Sequence, residues 1–187
     1  MTKMHPKQRA AYELAQSHDG LREIVGREHN QTIIDWFAAV GHDWVKDDET
    51  AWCASFVGAM LEEAGLASTK ALNARSYNEW GVSVDPEDAQ PGDIVTFWRG
   101  SKDGWKGHVG FYVGKSGSDY RVLGGNQGNA VNISVYPGRR LLQIRRMPAP
   151  ASASDVSTKP KQSFIEVLIS MLGGLFRAKE RHAPDDE

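Results

Sequence analysis

The sequence holds a single cysteine in 187 residues, so no disulfide can form within the chain and Cys53 is a free thiol. Neither sign of charge is in surplus: 22 Lys and Arg stand against 24 Asp and Glu, a formal net charge of -2. A chain that lives on phosphate contacts usually carries a broad positive field, so nucleic acid is not expected as a partner. Long hydrophobic runs are missing too, since no stretch approaches the roughly 20 consecutive apolar residues that cross a bilayer. The first residues, Met1 to Tyr12, carry charge with no apolar stretch behind them, so a Sec-type signal is not expected and cytoplasmic synthesis is. No pair of histidines has zinc-ligand spacing with Cys53, so neither a metal nor another cofactor is expected.

What is present is an ordinary globular balance, 40% hydrophobic and 25% charged. A core of about 150 residues buries roughly 68–70% of the surface its unfolded chain exposes and needs no disulfide or metal to stand. Apolar residues recur at helical spacing over 6–16 and 30–40. A stronger helical pattern covers 50–64, where Trp52, Phe56, Ala59 and Met60 share related faces, Thr50 is a candidate cap and Gly65 a candidate stop. After Pro91-Gly92-Asp93 the period changes, and β-rich runs follow over 94–98, 109–113, 120–123, 131–136 and 141–145. Their connections are too short for crossover helices, so the expected architecture is α+β, with helices packed on a five-stranded antiparallel sheet.

The pattern divides the chain into a main domain over 1–147, a linker over 148–162 and an appended segment over 163–187. The linker text, rich in Pro, Ala and Ser, cannot bury enough apolar surface to offset its ordering entropy. Beyond it, Phe164, Ile165, Leu168, Ile169, Leu172, Leu175 and Phe176 fall on one helical face. That amphipathic stretch is expected either to lie on a membrane surface, where Arg177, Lys179 and Arg181 can meet anionic lipid, or to dock on the domain or on a second copy.

Cys53 falls in the first turn of the third helix, where the positive end of the helix dipole and an adjacent imidazolium lower a thiol pKa and yield the nucleophilic thiolate. A lone cysteine is also an ordinary small core residue. The second element is His108, which a glycine turn delivers to the start of an alternating strand, at a lip expected to face a cleft. His5, His18, His29, His42 and His182 sit in polar surroundings or tails and read as surface residues. After the next strand comes Leu123-Gly124-Gly125-Asn126-Gln127, and a base needs a polar partner to hold its tautomer. Asn126 is the candidate orienter and Gln127 the substitute, although Asn beside Gly is equally a turn signal.

Four segments together, Asp48-Glu49-Thr50-Ala51-Trp52-Cys53-Ala54-Ser55-Phe56-Val57, Pro91-Gly92-Asp93-Ile94-Val95, Gly107-His108-Val109-Gly110-Phe111-Tyr112 and Gly124-Gly125-Asn126-Gln127, resemble the NlpC/P60 superfamily of cell-wall peptidases and its CHAP relatives. The likeness is greatest to a group common in phages and prophages, and it runs over about residues 20 to 147, taking in Ala74-Arg75-Ser76-Tyr77. It implies a papain-like fold with Cys53 at the start of the central helix, His108 on the adjoining sheet and Asn126 as the third polar residue. It also implies a peptidoglycan amide as substrate; Trp52, Tyr112 and Trp98, with Gln127, are candidates to shape the substrate groove, although each of the three aromatics reads more readily as a core residue. The resemblance, with no Sec-type signal expected, suggests a phage or prophage lysis enzyme that reaches the wall after release from the cytoplasm. Two other readings stay open: a wall-binding or particle-binding module of the same fold without chemistry, and an acyltransferase or transglutaminase-like enzyme.

Overall fold

The computed structural model describes residues 2–150, so the expected linker from 151 onward and the amphipathic segment lie outside the described residues. Helix α1 (Pro6–Ser17) begins with proline at its first position, where a missing N–H costs nothing, and the His5 ring accepts from Lys7 N at 3.1 Å. Helix α2 (Gln31–Ala39) is capped by the Asn30 side chain, which accepts from Thr32 N. Helix α3 (Cys53–Glu63) starts later than the expected residue 50, because Thr50 donates both its N–H and its hydroxyl to Asp47 in the preceding loop. Trp52 is its N-cap and supplies no side-chain acceptor, so Cys53 is the first helical residue. The helix ends at Gly65 as expected: with φ +76 it takes the left-handed conformation, Gly65 N donates to Glu62 O, and Leu66 N donates to Leu61 O.

The sheet has six strands rather than the expected five: β1 (Val82–Ser83), β2 (Ile94–Trp98), β3 (Gly107–Ser116), β4 (Asp119–Gly124), β5 (Asn132–Tyr136) and β6 (Leu141–Arg146). The extra strand is two residues long, too short to show a period of two, and exists only through its pairing with Arg145 and Arg146. The order is β1-β6-β2-β3-β4-β5, every neighbouring pair antiparallel. Pro148 bridges Met4 and Ala149 N donates to Lys3 O, so the end of the described chain is tied back to its beginning.

Helix α3 packs between the other two helices and the sheet. Its Phe56, Met60 and Leu61 meet Ala11 and Ala15 of α1, Ile33 and Phe37 of α2, and Val109, Phe111 and Leu123 of the sheet. Each of the larger of these side chains contributes roughly 1.5–3 kcal/mol by burial. The other sheet face carries a second core of Val95, Phe97, Tyr112, Tyr120, Val122 and Ile144. Alternation along β3 thus sends Val109 and Phe111 toward α3 and gives His108 the parity of Tyr112. Asp93, of the Pro-Gly-Asp turn, forms a bidentate pair with Arg146 at 2.7 and 2.6 Å, both side chains buried. That pair clamps the start of β2 to the end of β6.

Candidate active site

Cys53 stands at the start of α3 with little exposure, on a cleft of about 200 Å³ shared with Ala74, Arg99, Trp105, Lys106 and Asn126. Because no side chain caps α3, the N–H groups of its first turn are left to other acceptors. The backbone N–H groups of Val109, Ala54 and Cys53 itself bear on the sulfur. Val109 follows His108, so the first turn of α3 and the head of β3 form one site. Burial pushes the Cys53 thiol up, and Arg99 and those N–H groups only partly oppose it.

His108 is fully buried, not open to the cleft as its place at a strand lip suggests. The Tyr136 ring stacks on it at 4.7 Å and 8°. Its Nε2 lies 3.0 Å from Gln127 Oε1, and its Nδ1 lies 3.1 Å from Arg99 Nη2. These partners settle the tautomer. Gln127 Nε2 donates to Asn132 O, Asn132 Oδ1 and Val122 O, which forces its oxygen toward the ring, so Nε2 carries the proton. A guanidinium only donates, so Nδ1 presents its lone pair to Arg99. Burial, then the Arg99 charge, pulls the His108 pKa down to about 3 against the opposing Gln127 bond.

The resting pair is therefore a neutral thiol and a neutral imidazole, the reverse of the expected thiolate and imidazolium. The helix dipole favours the thiolate by typically 0.3–1 kcal/mol, and full burial of both groups outweighs that. No hydrogen bond joins Cys53 to His108 among the described residues, since the ring's free acceptor is engaged by Arg99.

Two of the glycines in Gly124-Gly125-Asn126-Gln127 are needed for clearance. A Cβ on Gly124 would stand 3.1 Å from His108 Nε2 and 3.0 Å from Gln127 Oε1, and one on Gly125 would meet the Trp52 ring and Phe56. The side chain that bonds the His108 ring is Gln127 and not Asn126. The φ of 57 at Asn126 places it at the turn tip, on the cleft wall, while Gln127 is drawn inward to the ring. Asn126 also borders a second pocket of about 260 Å³, lined by Glu23 and Glu49 among others.

The expected groove aromatics lie elsewhere. Trp52 is wholly buried against Trp36 and Phe56, its Nε1 donating to Glu23 Oε1. Tyr112 belongs to the second core, and the Trp98 ring is covered by Arg140 while its Nε1 donates to Arg139 O. Gln127 is bonded inside the fold and does not line the cleft. The aromatic that does line it is Trp105, 72% exposed, which sequence reasoning passed over because it sits in a polar turn. Arg99 was missed for the same reason: a charge just beyond a strand end reads as solvated.

Among the described residues, no group of His, Cys, Asp and Glu is placed to hold a metal ion, and no helix is long and apolar enough to cross a membrane. No curated protein matches the chain. Among solved structures, NlpC1 of Trichomonas vaginalis is 19% identical with a TM-score of 0.47, covering 78% of this chain and 45% of its own. An NlpC/P60 family protein of Bacillus cereus is 17% identical with a TM-score of 0.49, covering 77% and 41%. The P60 domain of an antigen from M. avium paratuberculosis is 13% identical with a TM-score of 0.46, covering 75% and 93%. This chain thus spans less than half the length of the first two. Residues 45–126 match the CHAP domain family, so the resemblance to CHAP proteins read from the motifs holds over the stretch that carries Cys53, Arg99 and His108.

Proposed function

We propose that this chain is a cysteine hydrolase that cleaves an amide bond of peptidoglycan peptides, with Cys53 as nucleophile, His108 as base and Gln127 as orienter. The observation that carries the reading is the fixed His108 tautomer: Nε2–H is held by Gln127, and the Nδ1 lone pair is turned toward Arg99, on the cleft that Cys53 lines. The substrate class rests on the CHAP match over 45–126.

In the proposed reaction, Nδ1 takes the proton from Cys53 and the sulfur attacks the amide carbon. The oxyanion is held by uncapped N–H groups of the first turn of α3, a kind of donor worth about 2.7–4 kcal/mol. The imidazolium protonates the departing amine, and water, deprotonated by the same ring, releases the acid. With Arg99 in place the ring is held near 3, too weakly basic to take the proton of a thiol whose own pKa is raised, so the transfer requires the ring to regain basicity when substrate is bound. The resemblance to phage and prophage proteins supports a lysis enzyme that acts on the wall after release, and the amphipathic segment after residue 163 supports contact with a membrane surface or with a second copy.

One observation favours a module that binds wall without cutting it: Nδ1 is engaged by Arg99 and makes no bond to the thiol. Digestion of purified peptidoglycan by the wild type and by Cys53→Ala, with mass spectrometry of the soluble products, separates the two. Turnover lost in Cys53→Ala supports the hydrolase and identifies the bond; equal turnover rejects the nucleophile, and binding without turnover by either supports the module.

A further inference from the structure

Arg99 follows β2 and is exposed overall, yet its guanidinium reaches the buried base. Its charge bears on Cys53 and on the Tyr136 hydroxyl. Among the described residues no carboxylate pairs with it. Nor does any Asp or Glu line the cleft, whose charges are those of Arg99 and Lys106. Arg75 is otherwise committed, donating to the carbonyls of Ser101, Lys102 and Lys106 and so bracing the loop that carries Trp105. A cleft of this character fits an anion, and a planar guanidinium with unused donors fits a carboxylate in bidentate fashion.

The present position of Arg99 is incompatible with base catalysis, because the lone pair it occupies is the one that must receive the Cys53 proton. Both facts have one resolution. We propose that Arg99 recognises a carboxylate on the substrate, close to the scissile amide, and in moving onto it releases Nδ1 of His108 for the Cys53 proton. Recognition and activation are then one event, and a peptide lacking that carboxylate meets an enzyme whose base is still engaged. Arg99 stays protonated throughout; the S–H bond breaks, the N–H bond at Nδ1 forms, and the sulfur pair makes the new bond to carbon. This deepens the hydrolase reading and rests on its assignment of Cys53 and His108.

Alkylation of the full chain tests this without knowledge of the bond cut, since Cys53 is the sole thiol. Iodoacetate carries the carboxylate; iodoacetamide is its neutral counterpart, and each gives an S–C bond with loss of iodide. The iodoacetate-to-iodoacetamide rate ratio is expected to be about 10- to 100-fold higher for the wild type than for Arg99→Gln, the discrimination a charge-assisted bond supplies. Arg99→Lys should retain part of it. Added acetate, at ionic strength held constant with chloride, should accelerate iodoacetamide labelling of the wild type but not of Arg99→Gln. Equal ratios in wild type and Arg99→Gln, or acetate that slows or leaves unchanged the wild-type labelling, would overturn the proposal while leaving the nucleophile intact. Failure of both reagents to label Cys53 in the folded chain would instead overturn the nucleophile reading, and this proposal with it.

Discussion

Replacing Gln127 by leucine separates its two roles, and the size of the effect can be worked from its bonds. The amide nitrogen donates to Asn132 O at 2.5 Å, to Asn132 Oδ1 at 3.1 Å and to Val122 O at 3.3 Å, while the oxygen accepts from His108 Nε2 at 3.0 Å. Asn132 Oδ1 keeps the Ser134 hydroxyl at 2.7 Å, and the Val122 contact is long, so the change falls on Asn132 O and His108 Nε2–H. A buried polar group deprived of its partner costs about 1–3 kcal/mol, so two cost about 2–6, and the added apolar burial returns about 1. A net loss of about 1–5 kcal/mol follows, a drop of about 2–20 °C in Tm for a domain of this size. Urea unfolding with an unaltered slope reads it. In the same samples iodoacetate labelling of Cys53 at neutral pH, the reagent whose carboxylate frees the base, should slow at least about tenfold, because general-base action is worth roughly 10²–10⁴ and a released ring can take the wrong tautomer or turn away. A Gln127→Leu protein with wild-type midpoint and wild-type labelling would refute the assignment of Gln127 as orienter.

Three further outcomes are expected. Asp93→Ala leaves the buried Arg146 guanidinium with carbonyl partners but no countercharge, and urea midpoints should report a loss of about 3–5 kcal/mol with little change in the cleft. Gly125→Ala drives a methyl into Trp52 and Phe56; about 1–3 kcal/mol of stability and part of the Cys53 reactivity should be lost together, whereas Gly117→Ala, with open space around it but φ +61, should leave reactivity alone. Stability should also fall with acid below pH 6.5: His108 has a folded pKa below its unfolded 6.5, so the unfolded chain binds the extra proton there, with a slope of at most about 1.4 kcal/mol per pH unit. Denaturation of His108→Gln between pH 6.5 and 5 should lack that part of the slope, and identical slopes in the two proteins would count against a buried neutral ring.

The strands after Asp93 were legible because alternating β-branched and aromatic runs bounded by Gly and Asn have few other readings, and β2 lies over the residues its run marks out. Helix α3 was legible through its apolar stripe, but its start was not. Thr50 looks like a cap until Asp47 is seen to hold it, a local competition that composition does not reveal. Cys53 and His108 carried recognisable surroundings. That Gln127 and not Asn126 bonds the ring was beyond reach because the two are neighbours, and which one faces inward depends on the left-handed turn at Asn126. For Trp52 and Tyr112 the core reading prevailed over the groove reading, since large rings bury the most area there, while Trp105 in a polar turn reached the cleft unremarked. Arg99 and the Asp93–Arg146 clamp depend on pairings across the sheet that only the three-dimensional register brings together.

The claim that Cys53 performs covalent chemistry through His108 is tested most directly by acid-quenching the full chain during turnover of soluble muropeptides and weighing the intact protein. The account predicts an added mass equal to the acyl half of the substrate, located by digestion on the peptide that contains Cys53, missing in Cys53→Ala and strongly reduced in His108→Gln. Products released at wild-type rate by Cys53→Ala, with no adduct on any variant, would contradict it.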